Sequence, residues 1–404
     1  MRPPAPPRCA RGGLAPVSGG ASPVALSAQA LRLRAWALGM LGGAPAGDAP
    51  AVDADAWRVF LRVEACAVPL RNALRAAGVR AGAGEAELDQ AATTESQRVL
   101  SARSQVSVID RLAAGEGWRI AVLKGGVALQ APSPLDVGDL DLLVDPAHAP
   151  ALLAALQAAG YAAYGEDHAE PGPRDHHYAP RWLPRTVPVE VHFRIGEMDP
   201  GVDLLGAAVP LDGTRALLRL APADHLRHLL LHTVAHHPHR RGRLRDLLLI
   251  AGAVRALGEP ATEAAAAELA AHPFAAQLGE TLAAARELAS GRAPADRWRR
   301  ASGAAYVAAA SSWVGRLGRG SQAELSTCIY AAIGCAEDRR RLWRRLWVRA
   351  SSPSGVPALA WLESRSAAAG GAVRATVRVA RYAAAAAAAL PVIRAAREAE
   401  RRAE

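Results

Sequence analysis

Three carboxylates occur in a pattern that would bring them together on one face of a sheet. Asp139 and Asp141 are separated by a leucine, and Glu190 lies between two valines, 49 residues after Asp141. Successive side chains of a strand point to opposite faces, so the two aspartates would project to one side. Glu190 would join them from a strand that lies alongside.

Carboxylates held this close repel one another strongly unless a cation neutralises them. Oxygen ligands suit Mg²⁺, which commonly lies between protein carboxylates and substrate phosphates. The pattern therefore predicts a metal site formed by Asp139, Asp141 and Glu190. Surface acids on half-exposed strands would give the same pattern, because two acids separated by one residue are common.

A glycine pair, Gly125 and Gly126, precedes the acids and follows a short apolar segment that predicts a strand. Glycines let a backbone approach a phosphate closely, and a helix N-terminus offers it free N–H groups. Lys124, directly before the pair, is the single lysine among 48 basic residues. Since lysine and arginine differ at a tight anionic site, we expect Lys124 to bind phosphate. A simple turn and a lysine present by chance are the alternatives.

Three histidines are further candidates for the site. His192 would share a strand face with Glu190, so it is either a partner of the acids or a substrate contact, unless it is a core histidine. His176 and His177 lie in the loop before that strand and could line an acceptor pocket.

Two other features could bind a partner. His232 and His236 have the i, i+4 spacing of a zinc pair, but the acidic residue of an H-E-x-x-H motif is absent, which favours packing in a helical domain. The basic tryptophan stretch at 339–349 could lie on RNA or on a membrane surface. A solvated helix that packs its tryptophans inward is the more ordinary interpretation.

The elements that must position these residues alternate between strand and helix. Apolar patterns predict strands at 118–123, 139–145, from 161 and at 187–195, and helices at 26–41, 54–78, 85–114, 146–160, 222–237, 243–257, 261–272 and 274–289. We therefore expect an α+β fold in which a small α/β core, a mixed sheet with flanking helices, is embedded in N- and C-terminal helical regions.

The composition predicts where the chain divides into regions, and it excludes two classes of protein. We expect a disordered region and linker at 1–50, helices at 51–115, the α/β core at 116–200, a helical domain at 201–320 and a basic Ala/Arg-rich helical tail at 321–404. A hydrophobic content of 51% over 404 residues excludes disorder throughout. Four scattered cysteines exclude a disulfide scaffold.

The cellular setting follows from what the sequence lacks. We find no apolar run long enough to form a transmembrane segment, and the N-terminus carries prolines where a signal peptide would be apolar. Together with the scattered cysteines, this predicts a cytoplasmic protein. The net charge of +10 is diffuse and gives no reason to expect DNA as a partner, and nothing indicates the oligomeric state.

In this order, the motifs resemble those of the polymerase-beta-like nucleotidyltransferase superfamily. One bacterial branch is similar over roughly residues 54–260, with segments that here are LKGG at 123–126, DLDLLV at 139–144, VEVHF at 189–193, HTVAHH at 232–237 and RLRDLLLI at 243–250. The chain departs from the branch in two places. Leu-Asp-Val-Gly stands at 135–138 where an arginine is usual, and Phe193 replaces a tryptophan.

The resemblance implies a role for each candidate. Asp139 and Asp141 would hold two Mg²⁺ ions, and Glu190 would complete one metal site and help to deprotonate an acceptor hydroxyl. The glycine pair would seat the triphosphate of an NTP, with Lys124 beside it. The implied reaction, of EC 2.7.7 type, moves an NMP group to a hydroxyl or phosphate of an unknown acceptor and releases pyrophosphate.

The acceptor could be a small molecule, a sugar, a peptide or a protein. A non-catalytic nucleotide-binding or regulatory protein on the same fold is the main alternative, against which the retention of all three acids argues. An RNA-tailing enzyme is a third, although the sequence contains no recognisable RNA-binding module.

Overall fold

The computed structural model describes residues 23–294 except 45–46, 164–176, 179, 197, 199–200 and 237–241, together with Arg394. Several sequence predictions lie outside this part of the chain. They concern residues 1–22, the tail apart from Arg394, the tryptophan stretch at 339–349, and His176.

Four helices precede the sheet: α1 (Pro23–Leu41), α2 (Ala54–Glu64), α3 (Ala67–Ala77) and α4 (Glu85–Glu116). The periodicity at 54–78 predicts continuous helix, but Ala65 adopts a left-handed conformation, φ 45°, and separates α2 from α3. The carboxylate of Glu95 in α4 accepts the N–H groups of Ala67 and Val68 at 3.1 and 3.0 Å. These bonds satisfy donors that the first turn of α3 leaves free, which explains why a new helix starts there.

The sheet has seven strands, of which four were predicted in the right place and most are short. They are β1 (Ile120–Val122), β2 (Leu140–Val144), β3 (Ala162–Ala163), β4 (Arg181–Trp182), β5 (Val189–His192), β6 (Val209–Pro210) and β7 (Leu218–Arg219), in the order β3-β4-β5-β2-β1-β7-β6. Helix α5 (Ala149–Ala158) follows β2. The central strand β2 pairs antiparallel with β1 and parallel with β5, so the sheet is mixed and the predicted α+β class is confirmed.

One face of the sheet is covered by α4 and α5. Leu140 and Leu142 of β2 join Val189 and Val191 of β5 in a fully buried cluster with apolar side chains of both helices. Because side chains alternate along a strand, burying these residues sends the intervening ones to the opposite face. The apolar half of each strand thus determines where its polar half points.

The helices after the sheet are α6 (Pro222–Leu231), α7 (Leu244–Leu257), α8 (Glu259–Ala267) and α9 (Ala275–Ala289), with a π-helical turn at His232–His236 that follows α6. They share one apolar core with α1, α2 and α3, so the two helical regions form a single packed unit. No helix in the described ranges is both long and apolar enough to cross a membrane.

A buried ion pair joins the two helical regions. Arg34 of α1 donates from Nε to Glu64 of α2 at 3.0 Å, and its Nη2 donates to the carbonyl oxygen of Gly242. The other oxygen of Glu64 accepts the N–H of Leu244, the first residue of α7. The Arg34 and Glu64 side chains are 2% and 0% exposed, so the start of α7 is held through a pair that water does not reach.

We expect Arg34→Met to lower the free energy of unfolding by about 3–5 kcal/mol, because it leaves the Glu64 carboxylate buried without its partner. Urea denaturation followed by circular dichroism measures the loss. Arg58→Met is the matched control, since Arg58 pairs with Asp55 and Glu87 but keeps 19% of its side chain exposed. That variant should lose about 1 kcal/mol or less. Equal losses in the two variants would contradict a special role for the buried pair.

Candidate functional site

The pairing of β2 with β5 places two of the predicted acids side by side. Asp141 and Glu190 are directly opposite one another in the parallel register, and Leu143 is opposite His192. All four face away from the leucine and valine cluster under α4 and α5. Asp139, one residue before β2, has the same alternation as Asp141, and it lines a cavity together with Glu190. The strand pattern therefore accounts for the convergence of the acids.

Asp141 is the most enclosed of the three acids, with 2% of its surface exposed. Its Oδ1 accepts a hydrogen bond from Lys124 Nζ at 2.7 Å and lies 2.9 Å from His192 Nε2. Burial by itself would raise the pKa of Asp141, but Lys124 and His192 outweigh burial and hold this pKa well below its ordinary value. The group is consequently an anion fixed between two nitrogen donors.

Lys124 reaches Asp141 from a strained position in the backbone. It starts a short 3₁₀ turn after β1 and has φ 49°, a left-handed value that few residues other than glycine adopt. Burial lowers the pKa of Lys124, but the Asp141 and Asp139 carboxylates more than compensate and raise it. Lys124 is thus a permanent cation among the acids and forms an ion pair with Asp141. It also lines the cavity.

The glycine pair has a packing explanation that needs no ligand. A Cβ on Gly126 would lie 2.5 Å from Val122 Cγ1 and 3.1 Å from Leu140 Cδ1, inside the sheet core. A Cβ on Gly125 would lie 2.9 Å from an Nη2 atom of Arg245. Both glycines are buried. Gly126 therefore packs against the sheet, whereas Gly125 lets a guanidinium lie against the turn.

Arg245 is a site residue that the sequence did not single out. Its Nε donates to the carbonyl oxygen of Asp136 at 2.5 Å, and its Nη1 lies 2.9 Å from the Asp246 carboxylate. It lines the cavity and contributes to the local potential at Asp139. The segment RLRD at 243–246 was part of the motif resemblance, but only the packing of α7 shows which of its arginines meets the glycine turn.

Asp139 is the acid whose ionised form is most strongly disfavoured by its surroundings. Burial raises its pKa, the carboxylates of Asp141 and Glu190 raise it further, and Lys124 and Arg245 oppose them, which leaves a value of about 6. An aspartate with this pKa is partly protonated near neutral pH. A cation that lowered the repulsion would therefore favour its ionised form.

The described residues contain one group of three or more potential metal ligands. It consists of Asp141, Glu190 and His192, whose ligand atoms lie within 4.8 Å of one another. Sequence reasoning placed His192 beside the acids as a partner or substrate contact, and its contact with Asp141 argues against a plain core histidine. The donor set of two carboxylates and one imidazole fits a divalent cation.

The remaining histidines lie around the same cavity. The ring of His177 packs edge-to-face on His192 at 5.2 Å between ring centroids, and it lines the cavity. His232 and His236 stack at 5.4 Å between ring centroids and line the opposite side. In the described part of the chain they do not belong to a cluster of three or more ligands, so the zinc interpretation gains no support.

The cavity of about 210 Å³ lies between the sheet and the helices that follow it. The residues considered so far supply most of its wall. Its helical side is completed by Leu229, Thr233, Asp246 and Leu249. Acids and a lysine thus face histidines and an arginine across one polar space.

Residues 53–290 match the model of a family described as an uncharacterised nucleotidyltransferase. The chain belongs to this family. The match covers more than half of the 404 residues and includes α2 to α9 with the whole sheet. A comparison with curated proteins finds no match to the chain.

Membership of the nucleotidyltransferase family agrees with the class that the order of the motifs indicated. It supports a transferase that acts on nucleotides, for which a divalent metal is the usual cofactor. The family match includes both the sheet carboxylates and α7, which carries Arg245. The two sides of the cavity therefore lie within the same family match.

Replacing each aspartate separately should change stability in opposite directions. At pH 7.5, with a chelator and no added metal, Asp139→Asn should raise the free energy of unfolding by about 1–2 kcal/mol, because it removes a charge that the fold disfavours. Asp141→Asn should lower it by at least about 1 kcal/mol, because the ion pair with Lys124 is lost. Urea denaturation of both variants measures the changes.

The pH dependence of the free energy of unfolding tests the direction of the Asp139 pKa shift. Its folded pKa of about 6 exceeds the ordinary value of 3.8, so the folded protein binds this proton more tightly and loses stability as pH rises from about 4 through 6. The gain from Asp139→Asn should accordingly vanish near pH 4 and be complete above pH 7. A gain that is independent of pH would contradict the assigned charge cost.

Proposed function

We propose that this protein is a Mg²⁺-dependent nucleotidyltransferase that transfers an NMP group from an NTP to a hydroxyl or phosphate of an acceptor and releases pyrophosphate. The observation that carries the proposal is the parallel register of Asp141 with Glu190, beside Asp139 and Lys124 in one cavity. Family membership supports the reaction class. Magnesium, when bound, would neutralise charge that develops on the transferred phosphoryl group.

The acids have distinct tasks in this proposal. Asp139 and Asp141 would hold the metal ions, and Glu190, with 22% of its side chain exposed to the cavity, would complete one site and take part in deprotonating the acceptor hydroxyl. Asp141 is held as an anion by Lys124 and His192, so it is ready to bind a cation at neutral pH. The pKa of Asp139, raised to about 6, makes its ionised form less favourable than that of an ordinary aspartate, and a bound cation would relieve this cost.

The triphosphate would lie against the glycine turn. Lys124 begins that turn, and the guanidinium of Arg245 covers Gly125. Arg245 thereby supplies the cation that the sequence lacks at 135–138, because it is bonded to the backbone of Asp136 within that segment. Two cations beside a backbone turn would bind and orient phosphates while the acids hold the metal ions.

The acceptor would enter from the helical side. His232, His236 and Thr233 line that part of the cavity, with His177 beside the sheet, and offer hydrogen-bonding groups rather than a broad apolar surface. A polar acceptor, such as a sugar, a small metabolite or a side chain of a peptide or protein, fits this lining better than a lipid.

Nucleotide binding should depend on both aspartates. Mg²⁺ with an NTP at about 100 times its Kd should stabilise the wild-type protein by about 2.7 kcal/mol, seen as a rise in melting temperature of several degrees. Asp139→Asn/Asp141→Asn should abolish the rise. Asp212→Asn, which changes an exposed aspartate outside the cavity, should retain it.

Transfer itself is tested with labelled NTPs and a panel of polar acceptors, by following label transfer and pyrophosphate release. An undiminished thermal shift in the double variant would mean that the nucleotide binds elsewhere. A normal shift without transfer to any acceptor would instead favour the regulatory nucleotide-binding protein.

Lys124→Arg should lower kcat/KM at least about tenfold, equivalent to roughly 1.4 kcal/mol in the barrier. The Nζ atom lies 2.7 Å from Asp141 at a strained backbone position, and a planar guanidinium cannot take the place of this compact ammonium. Arg111→Lys is the control, because it exchanges the same two residue types at an exposed position of α4, away from the cavity. Full turnover in Lys124→Arg would show that only a positive charge is needed there.

A further inference from the structure

We propose that Asp141, Glu190 and His192 form a mixed nitrogen–oxygen centre that prefers Mn²⁺ to Mg²⁺. The inference deepens the proposed function, on which it rests for its role in catalysis, but metal binding at this centre can be measured without any nucleotide. It assigns to His192 a direct bond to the metal, and it makes the two cation positions of the cavity chemically unequal.

The three ligand atoms have the spacing of one coordination sphere. His192 Nε2 lies 2.9 Å from Asp141 Oδ1 and 3.7 Å from Glu190 Oε2, and all three atoms fall within 4.8 Å of one another. With metal–ligand bonds of about 2.0–2.2 Å, adjacent ligands of an ion lie about 3 Å apart and opposite ligands about 4 Å apart. One cation can therefore touch all three atoms once it displaces from Asp141 Oδ1 both the Lys124 ammonium and the proton that His192 Nε2 donates.

The fold directs the imidazole into this position. His192 and Glu190 are two residues apart in β5 and share a face, while Asp141 is the direct partner of Glu190 in β2. His192 is 4% exposed, and its ring lies edge-to-face with that of His177. Three ligands from two paired strands form a rigid set, which a metal site requires.

The donor atoms decide the choice of metal. Mg²⁺ prefers oxygen ligands and keeps much of its water, whereas imidazole is a better ligand for transition metals. Mn²⁺ accepts carboxylates as readily as Mg²⁺ does, so a set of two carboxylates and one imidazole suits it on both counts. Asp139 is outside this group of three, and its oxygen ligand remains for an ion of the Mg²⁺ type.

Electron spin-echo spectroscopy of bound Mn²⁺ tests the direct bond. Full-length protein with one equivalent of Mn²⁺ and no nucleotide should show a ¹⁴N coupling, which changes to a ¹⁵N coupling when histidine alone is labelled with ¹⁵N. The coupling should disappear in His192→Gln and persist in His177→Gln. His177 is the matched control because its ring packs on that of His192 in the same cavity. Spectra without histidine nitrogen coupling in the wild-type protein would overturn the proposal, whatever the variants do.

The preference is measured by calorimetric titration of Mn²⁺ and Mg²⁺. The ratio of the Mg²⁺ dissociation constant to the Mn²⁺ dissociation constant measures the preference for Mn²⁺. This ratio should be at least about fivefold lower in His192→Gln than in the wild type, because the glutamine can offer an oxygen in place of nitrogen. It should be unchanged in His177→Gln. An unchanged ratio in His192→Gln would also overturn the proposal.

These outcomes are separable from the fate of the proposed reaction. Histidine coupling without nucleotidyl transfer would leave the metal centre established and remove the activity. Transfer with Mg²⁺ and no histidine coupling would do the reverse. Melting temperatures measured with a chelator show whether His192→Gln folds, and the labelled wild-type spectrum decides the question if it does not.

Discussion

A carboxylate that is removed from water must be given partners, and the Asp141 carboxylate is the group around which this cavity is built. Desolvation of an anion costs several kcal/mol unless charges and hydrogen bonds replace the lost water. Lys124 and His192 supply them at 2.7 and 2.9 Å. Each partner comes from a different element, the turn after β1 and the end of β5, so the neighbours of Asp141 tie three segments of the sheet together.

The other side of the cavity depends on an interaction far from the acids. The Glu64 carboxylate, paired with Arg34, accepts the N–H of Leu244, and Arg245, the next residue, lies against the glycine turn. The carbonyl oxygen of Asp136 accepts a hydrogen bond from Arg245. The Asp136 carboxylate accepts one from Arg98 of α4 at 2.6 Å. The segment before the acid pair is thereby held between α4 and α7. The helical regions thus fix the position of a cation as well as enclosing the cavity.

Local patterns predicted what depends on local geometry. The alternation around Asp139 and Asp141 indicated their common face, and valines on both sides of Glu190 indicated a neighbouring strand; both follow from the two-residue period of a strand. The break at Ala65 escaped prediction because its cause is the carboxylate of Glu95, 30 residues later. The short strands β4, β6 and β7 escaped because two residues carry no detectable period.

The sequence pointed to most of the residues around the cavity but not to which of them contact one another. The residue types indicated a metal site beside a phosphate site, yet which nitrogen lies against which acid depends on contacts between distant segments. Arg245 is the clearest case, since the chain contains many arginines and only the start of α7 shows which one meets Gly125. The need for glycine at 126 likewise comes from Val122 and Leu140 rather than from a ligand.

Lys124, expected from the sequence to bind phosphate, is ion-paired with the buried Asp141 in the structure. A divalent ion that binds Asp141 Oδ1 has to compete with the ammonium 2.7 Å away, so the ion pair lowers the affinity of the centre for a bare metal. A nucleotide bound as proposed would change that balance, because its phosphates would offer the displaced ammonium a new anionic partner in the same cavity. Metal and nucleotide would then each ease the binding of the other, and a lysine that stabilises the buried acid would also couple the two ligands.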